Sequence, residues 1–225
     1  MILKFNFIDN IITFSDEYIK NLEIENKTYF YRTINSLNQI SNGNLVDEAN
    51  FFSKEYKELN LRNKIGIFID YFNIDFNSKK YILNISNYVE TLIDEENKLK
   101  LTALYKKIKS IFSKVLLDID LDININQEFD TAVFLKILKL SLESKDNILD
   151  NLFLLIDIEK MFKINEILIF VNLKQYLKKE ELEELFKYSI YSNVKIMLID
   201  SQSYGINLNL EKKLIIDDSL EEFMI

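Results

Sequence analysis

Two adjoining groups of charged residues give this sequence its clearest chemistry. Residues 97–117 contain no carboxylate and six lysines: Lys98, Lys100, Lys106, Lys107, Lys109 and Lys114. The next segment, DIDLDININQEFD over 118–130, has only acidic charge, from Asp118, Asp120, Asp122, Glu128 and Asp130. Ammonium groups attract phosphates, whereas clustered carboxylate oxygens bind hard cations such as Ca²⁺. The two groups therefore suggest an anion-binding face beside a cation site.

The acidic segment does not form an EF-hand loop. That loop needs glycine at its sixth position and glutamate at its twelfth. Counted from Asp118, those positions hold Ile123 and Phe129. Two interpretations stay open: a Ca²⁺ or Mg²⁺ site of another geometry, and a solvated acidic corner between two helices.

The lysines lie in a predicted helix over about 97–117. An apolar stripe at helical spacing supports this prediction, formed by Leu101, Leu104, Tyr105, Ile108, Ile111, Phe112 and Val115. Lys100, Lys107 and Lys114 are spaced at heptad intervals, and we expect them on the opposite face. The simpler alternative is a solvated helix face, although such faces usually mix charges of both signs.

Most common catalytic groups are missing from the chain. It has no histidine, no cysteine and only three glycines, so no usual general base, thiolate or glycine-rich phosphate loop can be formed. Ser201 and Ser203 follow a predicted strand without a base nearby in sequence. Asp70 and Asp200 end predicted strands, where α/β proteins place functional groups. We predict a protein that is not an enzyme; a Mg²⁺-dependent nuclease using the 118–130 carboxylates is the alternative.

The overall charge argues against general affinity for nucleic acid. The chain carries a net charge of −8, and without the six lysines the remainder would carry −8 − 6 = −14. A nucleic acid would therefore have to bind at a local basic patch. Apolar runs are all too short for a membrane span, and the first residues lack a cleavable leader, so we expect a cytoplasmic protein.

The elements that carry these groups indicate an α/β head with an inserted all-helical leg. Predicted strands occupy the N-terminus, 64–70, 167–173, 193–200 and 212–218, with a helix over 178–192 between two of them. This strand–helix–strand spacing predicts a mixed, partly parallel sheet. Helical periodicity dominates the middle of the chain. We expect the head to comprise 1–79 and 151–225 and the leg to comprise 80–150.

The C-terminal third resembles a known family. The resemblance rests on EILIFVNLKQYLKKEELEELFKYSIYSNVKIMLIDSQ over 166–202, on the closing KKLIIDDSLEEF, and on the hydrophobic start of the chain. These segments resemble the Csn-two family, the type II-A CRISPR accessory proteins of spacer acquisition. The resemblance implies a head related to nucleotide-binding folds but without a working phosphate loop, together with a helical leg.

The resemblance also implies a function. Members of the family form a homotetrameric ring that holds double-stranded DNA in a lysine-lined hole and prefers linear ends, with structural Ca²⁺ near the leg and no catalysis. Expected partners are the CRISPR integrase pair and the RNA-guided effector nuclease, and no membrane is involved. A structural interaction protein, whose lysine helix packs on an acidic partner, is a further alternative.

Overall fold

The computed structural model describes residues 1–119, 121, 123–126, 128–206 and 208–225. The chain forms two compact units. The head unit comprises Met1–Asp75 and Ser144–Ile225, and the helical unit comprises Phe76–Glu143. The boundaries predicted from the sequence, 79/80 and 150/151, differ from the observed ones by four and seven residues.

The head unit contains two sheets. Its strands are β1 (Ile2–Phe5), β2 (Ile12–Thr13), β3 (Ile19–Ile24), β4 (Ala49–Phe52), β5 (Glu58–Leu59), β6 (Ile65–Phe68), β7 (Ile167–Val171), β8 (Ile196–Asp200), β9 (Glu211–Ile216) and β10 (Glu222–Met224). Three helices accompany them: α1 (Lys27–Ser41), α5 (Ile148–Phe162) and α6 (Lys179–Tyr191). The fold class predicted from the sequence, an α/β head with an inserted helical region, is confirmed.

The larger sheet has the order β10-β9-β3-β8-β7-β6. Strands β9, β3, β8, β7 and β6 run parallel, and only the edge strand β10 is antiparallel to its neighbour. Strands β7 and β8 are buried at every position, as expected for apolar runs in the middle of a parallel sheet. The parallel β7–α6–β8 arrangement was predicted correctly.

The smaller sheet is antiparallel, in the order β2-β1-β4-β5. Its inward-facing side chains, Leu3, Phe5 and Phe51, share one hydrophobic core with Leu22 and Met197 of the larger sheet. The sequence had suggested a single N-terminal strand, but the chain folds into the β1–β2 pair because residues 6–11 turn between them. Strands β3, β4, β5 and β10 were not predicted.

The helical unit contains α2 (Lys79–Leu92), α3 (Glu95–Leu116) and α4 (Thr131–Leu138). Among the residues of this unit that the structure describes, the buried side chains are Phe76, Tyr81 and Leu135. Helix α5 begins at Ile148 and belongs to the head unit, so the predicted leg, 80–150, extends seven residues beyond the helical unit. In the described part of the chain, no helix is both long and apolar enough to cross a membrane.

Candidate nucleic-acid interface

Helix α3 presents the predicted lysines, and its first turn is well defined. The Asp94 side chain accepts a hydrogen bond from the Asn97 amide at 2.7 Å, which caps the helix. Glu95 and Glu96 lie in the first turn and Lys114 in the last, so both ends suit the helix dipole. With 22 residues the helix is about 33 Å long.

The first two lysines have acidic partners. The Lys98 ammonium lies 3.2 Å from Glu95 Oε1, and the Lys100 ammonium lies 2.6 Å from Glu96 Oε1. Both pairs are exposed, so each contributes little to stability and is readily exchanged for another anion. The carboxylates directly before residue 97 therefore offset part of the charge that the lysine-rich segment carries.

The middle and end of α3 are more strongly basic. Lys106, Lys107 and Lys114 are exposed, and no carboxylate of the described residues lies within 4 Å of their ammonium groups. Lys107 and Lys114 are separated by two turns, about 10.5 Å along the axis. Lys109 differs from them because it is half-buried and lines a groove with Ile119 and Ile123.

The apolar stripe of α3 is largely exposed. Leu104, Ile111, Phe112 and Val115 are each more than half exposed, and α3 has no buried residue. Residues three or four positions apart are neighbours on a helix, so Leu104 and Ile111 lie beside Lys107. The expectation that the lysines oppose the stripe was wrong, because the two surfaces are adjacent.

The acidic segment has a partly structural role. Asp118 and Glu128 are exposed, whereas the Asp130 side chain caps α4 by accepting from the Val133 amide at 3.1 Å. Asp120 and Asp122 lie outside the described residues. Among the residues that are described, no three histidine, cysteine or acidic side chains are grouped as metal ligands would be.

A buried ion cluster in the head unit was not predicted as a site. It consists of Glu23 on β3, Asp200 at the end of β8, Lys174 in a 3₁₀ turn after β7 (Leu173–Gln175), and Glu211 and Lys213 on β9. The four ionic side chains other than Lys213 are at most 1% exposed. Only Asp200 had been singled out in the sequence, as a strand-end carboxylate.

Lys174 lies at the centre of this ion cluster. Its ammonium is 2.6 Å from Glu211 Oε1, 3.3 Å from Glu23 Oε1 and 3.6 Å from Asp200 Oδ2. The Lys213 ammonium is 2.9 Å from Glu23 Oε1. Burial opposes the charge on Lys174, but the contacts with Glu211, Asp200 and Glu23 raise its pKa overall. Burial raises the pKa of Asp200 to about 7, although Lys174 acts in the opposite direction.

The connection from β3 to α1 leaves no room for a phosphate loop. Only Glu25 and Asn26 separate the two elements. The Asn26 side chain accepts hydrogen bonds from the amides of Thr28 and Tyr29 at 3.1 and 3.2 Å. The first turn of α1 is thus capped by its own chain, in agreement with the absence of a glycine-rich motif from the sequence.

Comparison with known proteins supports the resemblance. A family profile described as "CRISPR-associated protein (Cas_Csn2)" matches residues 44–220, well over half of the chain. No curated protein sequence matches. The crystal structure of Stu0660 of Streptococcus thermophilus matches with a TM-score of 0.62 and 11% identity, over 100% of this chain and 76% of that one, which shows a shared fold. The chain therefore belongs to the Csn-two family of CRISPR-associated proteins.

Proposed function

We propose that this protein binds double-stranded DNA through α3, without sequence preference and without catalysing a reaction, during CRISPR spacer acquisition. The observation that carries the proposal is the exposed basic surface of α3. Lys106, Lys107 and Lys114 have no described carboxylate partner in a chain with a net charge of −8. Membership of the Csn-two family supports a role in this process.

The form of the basic surface suits a phosphate backbone. Duplex DNA carries one negative charge per about 1.7 Å of its axis, so lysines two helical turns apart meet several phosphates. Lysine is a flexible point charge without the planar fork of arginine that recognises guanine. Contacts of this kind hold and orient DNA but do not specify its sequence.

Self-association would complete the binding site. The exposed apolar stripe of α3 lies directly beside the lysines, and a helix with no buried residue gains stability by packing against another surface. A homotetrameric ring, which the family resemblance implies, would bring four basic surfaces around one duplex. Such a ring would favour linear DNA, which can enter by an end.

The remaining parts of the proposal rest on the family resemblance. Ca²⁺ would be structural, held near the helical unit by members of the 118–130 carboxylates, with Asp118 and Glu128 exposed and available. The CRISPR integrase pair and the RNA-guided effector nuclease would be partners. Catalysis is not expected of a chain without histidine or cysteine.

Binding to linear and closed circular duplex of equal length tests this function. We expect the protein to bind linear DNA only. A plot of log K against the logarithm of the salt concentration should have a slope of about −0.9 for each phosphate that the protein neutralises. Equal affinity for closed circles would rule out entry by an end. Sustained cleavage of linear DNA by pure protein in Mg²⁺ would instead support a nuclease.

A further inference from the structure

The buried ion cluster has more acidic than basic groups. Glu23, Asp200 and Glu211 could carry three negative charges, and Lys174 and Lys213 supply two positive charges. An uncompensated charge in a buried site is strongly unfavourable. The cluster is therefore stable only with one more positive charge.

Hydrogen bonding shows which carboxyl group is best suited to hold that charge as a proton. Glu23 Oε1 is approached by Lys213 at 2.9 Å, by the Asn21 side-chain amide at 3.1 Å and by Lys174 at 3.3 Å. Glu211 Oε1 lies 2.6 Å from the Lys174 ammonium, whereas the nearest cation to Asp200 is the same ammonium at 3.6 Å, with the Asn21 side chain as a further polar neighbour. The ionised form of Asp200 is thus the least stabilised of the three.

The cluster is joined to the segment 201–206, which leads from β8 toward β9. The Lys213 ammonium donates to the Ile206 carbonyl at 3.0 Å, and the Gln175 side chain, next to Lys174, contacts the Tyr204 hydroxyl at 2.5 Å. The Ser201 amide donates to Asn172 Oδ1 at 2.7 Å. These contacts hold the segment closed at the carboxyl ends of the parallel strands.

We propose that Asp200 holds a proton in the closed head unit, and that loss of this proton releases the segment 201–206. Ionised Asp200 would compete for Lys174 and require water, which enters only when the segment lifts. The groups that face Asp200 are Lys174 from the 3₁₀ turn, Asn21 and Glu23 from β3, Glu211 from β9, and Tyr71 from the loop after β6.

The sign of the pH dependence follows from linkage. The closed state binds the proton more tightly than the open, solvated state, whose carboxyl has an ordinary pKa near 4. The closed state is therefore fully favoured below about pH 4. Opening should increase about tenfold per pH unit between about pH 4 and 7 and level off above pH 7.

Hydrogen exchange at the amide of Ser201, corrected for its intrinsic rate, tests the proposal between pH 5.5 and 8.5. We expect opening to rise about tenfold from pH 5.5 to 6.5 and to level off above 7, while the amides of β7 keep their protection. In Asp200→Asn, which mimics the protonated carboxyl, opening should not change with pH. Asp70→Asn, at an exposed aspartate two residues after β6, is the matched control and should behave as wild type.

Three results would overturn the proposal. The first is exchange at Ser201 in the wild type that does not change with pH, which needs no variant and so applies even if Asp200→Asn fails to fold. The second is an unchanged pH response in folded Asp200→Asn. The third is protection that follows the concentration of Na⁺ or K⁺ instead of pH, which would assign the extra positive charge to a bound metal cation.

Discussion

At the scale of single residues, Lys174 makes the most ion-pair contacts of any described residue in the head unit. Its ammonium contacts three carboxyl groups that solvent does not reach. Removing one partner of a buried ionic group costs more than the interaction contributes, because the opposite charge remains buried. The ion cluster is thus a point where one substitution affects five side chains.

We predict that Lys174→Met lowers the free energy of unfolding by about 3–5 kcal/mol. The measurement is urea denaturation at pH 7, with the denaturant slope checked for two-state behaviour. Lys187→Met, at an exposed position on α6, is the control and should change stability by no more than about 0.5 kcal/mol. A loss below 1 kcal/mol for Lys174→Met would mean that water or an ion already solvates the cluster.

Residues also explain why the central strand of the larger sheet was not predicted. Strands β6, β7 and β8 are apolar runs, which the sequence displays directly. Strand β3 reads IKNLEI, and its Asn21 and Glu23 interrupt the apolar pattern. Both side chains are buried, Glu23 as a member of the ion cluster and Asn21 as a hydrogen-bond donor to Glu23. The strands that pair with β3, β8 and β9, are far away in sequence. Nothing local could indicate that pairing.

At the scale of elements, α3 combines two surfaces, and each can be tested separately. The helix itself was predicted from its apolar periodicity, with boundaries close to the observed Glu95–Leu116. The sequence could not show whether this apolar stripe packs inside its own chain or against another chain. Both kinds of stripe have the same residue spacing. In this chain the stripe stays exposed.

For the basic surface, we predict that Lys107→Glu with Lys114→Glu weakens duplex binding at least tenfold. Losing two phosphate contacts should also reduce the salt slope by about 1.8, at 0.9 per contact. A fluorescence titration over several salt concentrations measures both effects. The matched control is Lys54→Glu with Lys57→Glu, which makes the same change in net charge at exposed positions of the head unit. Equal losses in both variants would indicate a general charge effect.

For the apolar surface, we predict that Ile108→Ser with Phe112→Ser lowers the solution mass toward that of one chain. Both side chains are at least 41% exposed, so the free energy of unfolding of the isolated chain should change little. Light scattering gives the mass, and circular dichroism checks the fold. Phe72→Ser, at an exposed aromatic residue of the head unit, should leave the mass unchanged. An unaltered assembly in the double variant would place the contact elsewhere.

At the scale of the whole molecule, the protein takes part in CRISPR adaptation as a member of the Csn-two family. The family was recognised from the sequence through hydrophobic segments, chiefly those over 166–202. Single ligands in the acidic segment were not assignable, because carboxylates spaced two apart face one way in a strand and fan out in a helix.

We predict that Ca²⁺ stabilises the folded protein by about 2.7 kcal/mol at a concentration 100 times its Kd, by mass action. Calorimetry with Ca²⁺, and again after adding a chelator, measures this gain. Asp118→Asn with Glu128→Gln should reduce it, whereas Glu180→Gln with Glu184→Gln, on the acidic helix α6 of the head unit, should not. A melting temperature that Ca²⁺ leaves unchanged would exclude the site.

The position of β3 also has a consequence for how the chain folds as it leaves the ribosome. In the register of the sheet, Glu23 on β3 lies opposite Asp200 on β8, and Leu22 lies opposite Leu214 on β9. Strand β3 can therefore pair with β8 and β9 only after nearly the whole chain has been synthesised. The helical unit, Phe76–Glu143, is continuous in sequence and depends on shorter-range contacts. We therefore expect the helical unit to become ordered early in synthesis. Strand β3 should stay unpaired until the last quarter of the polypeptide has been made.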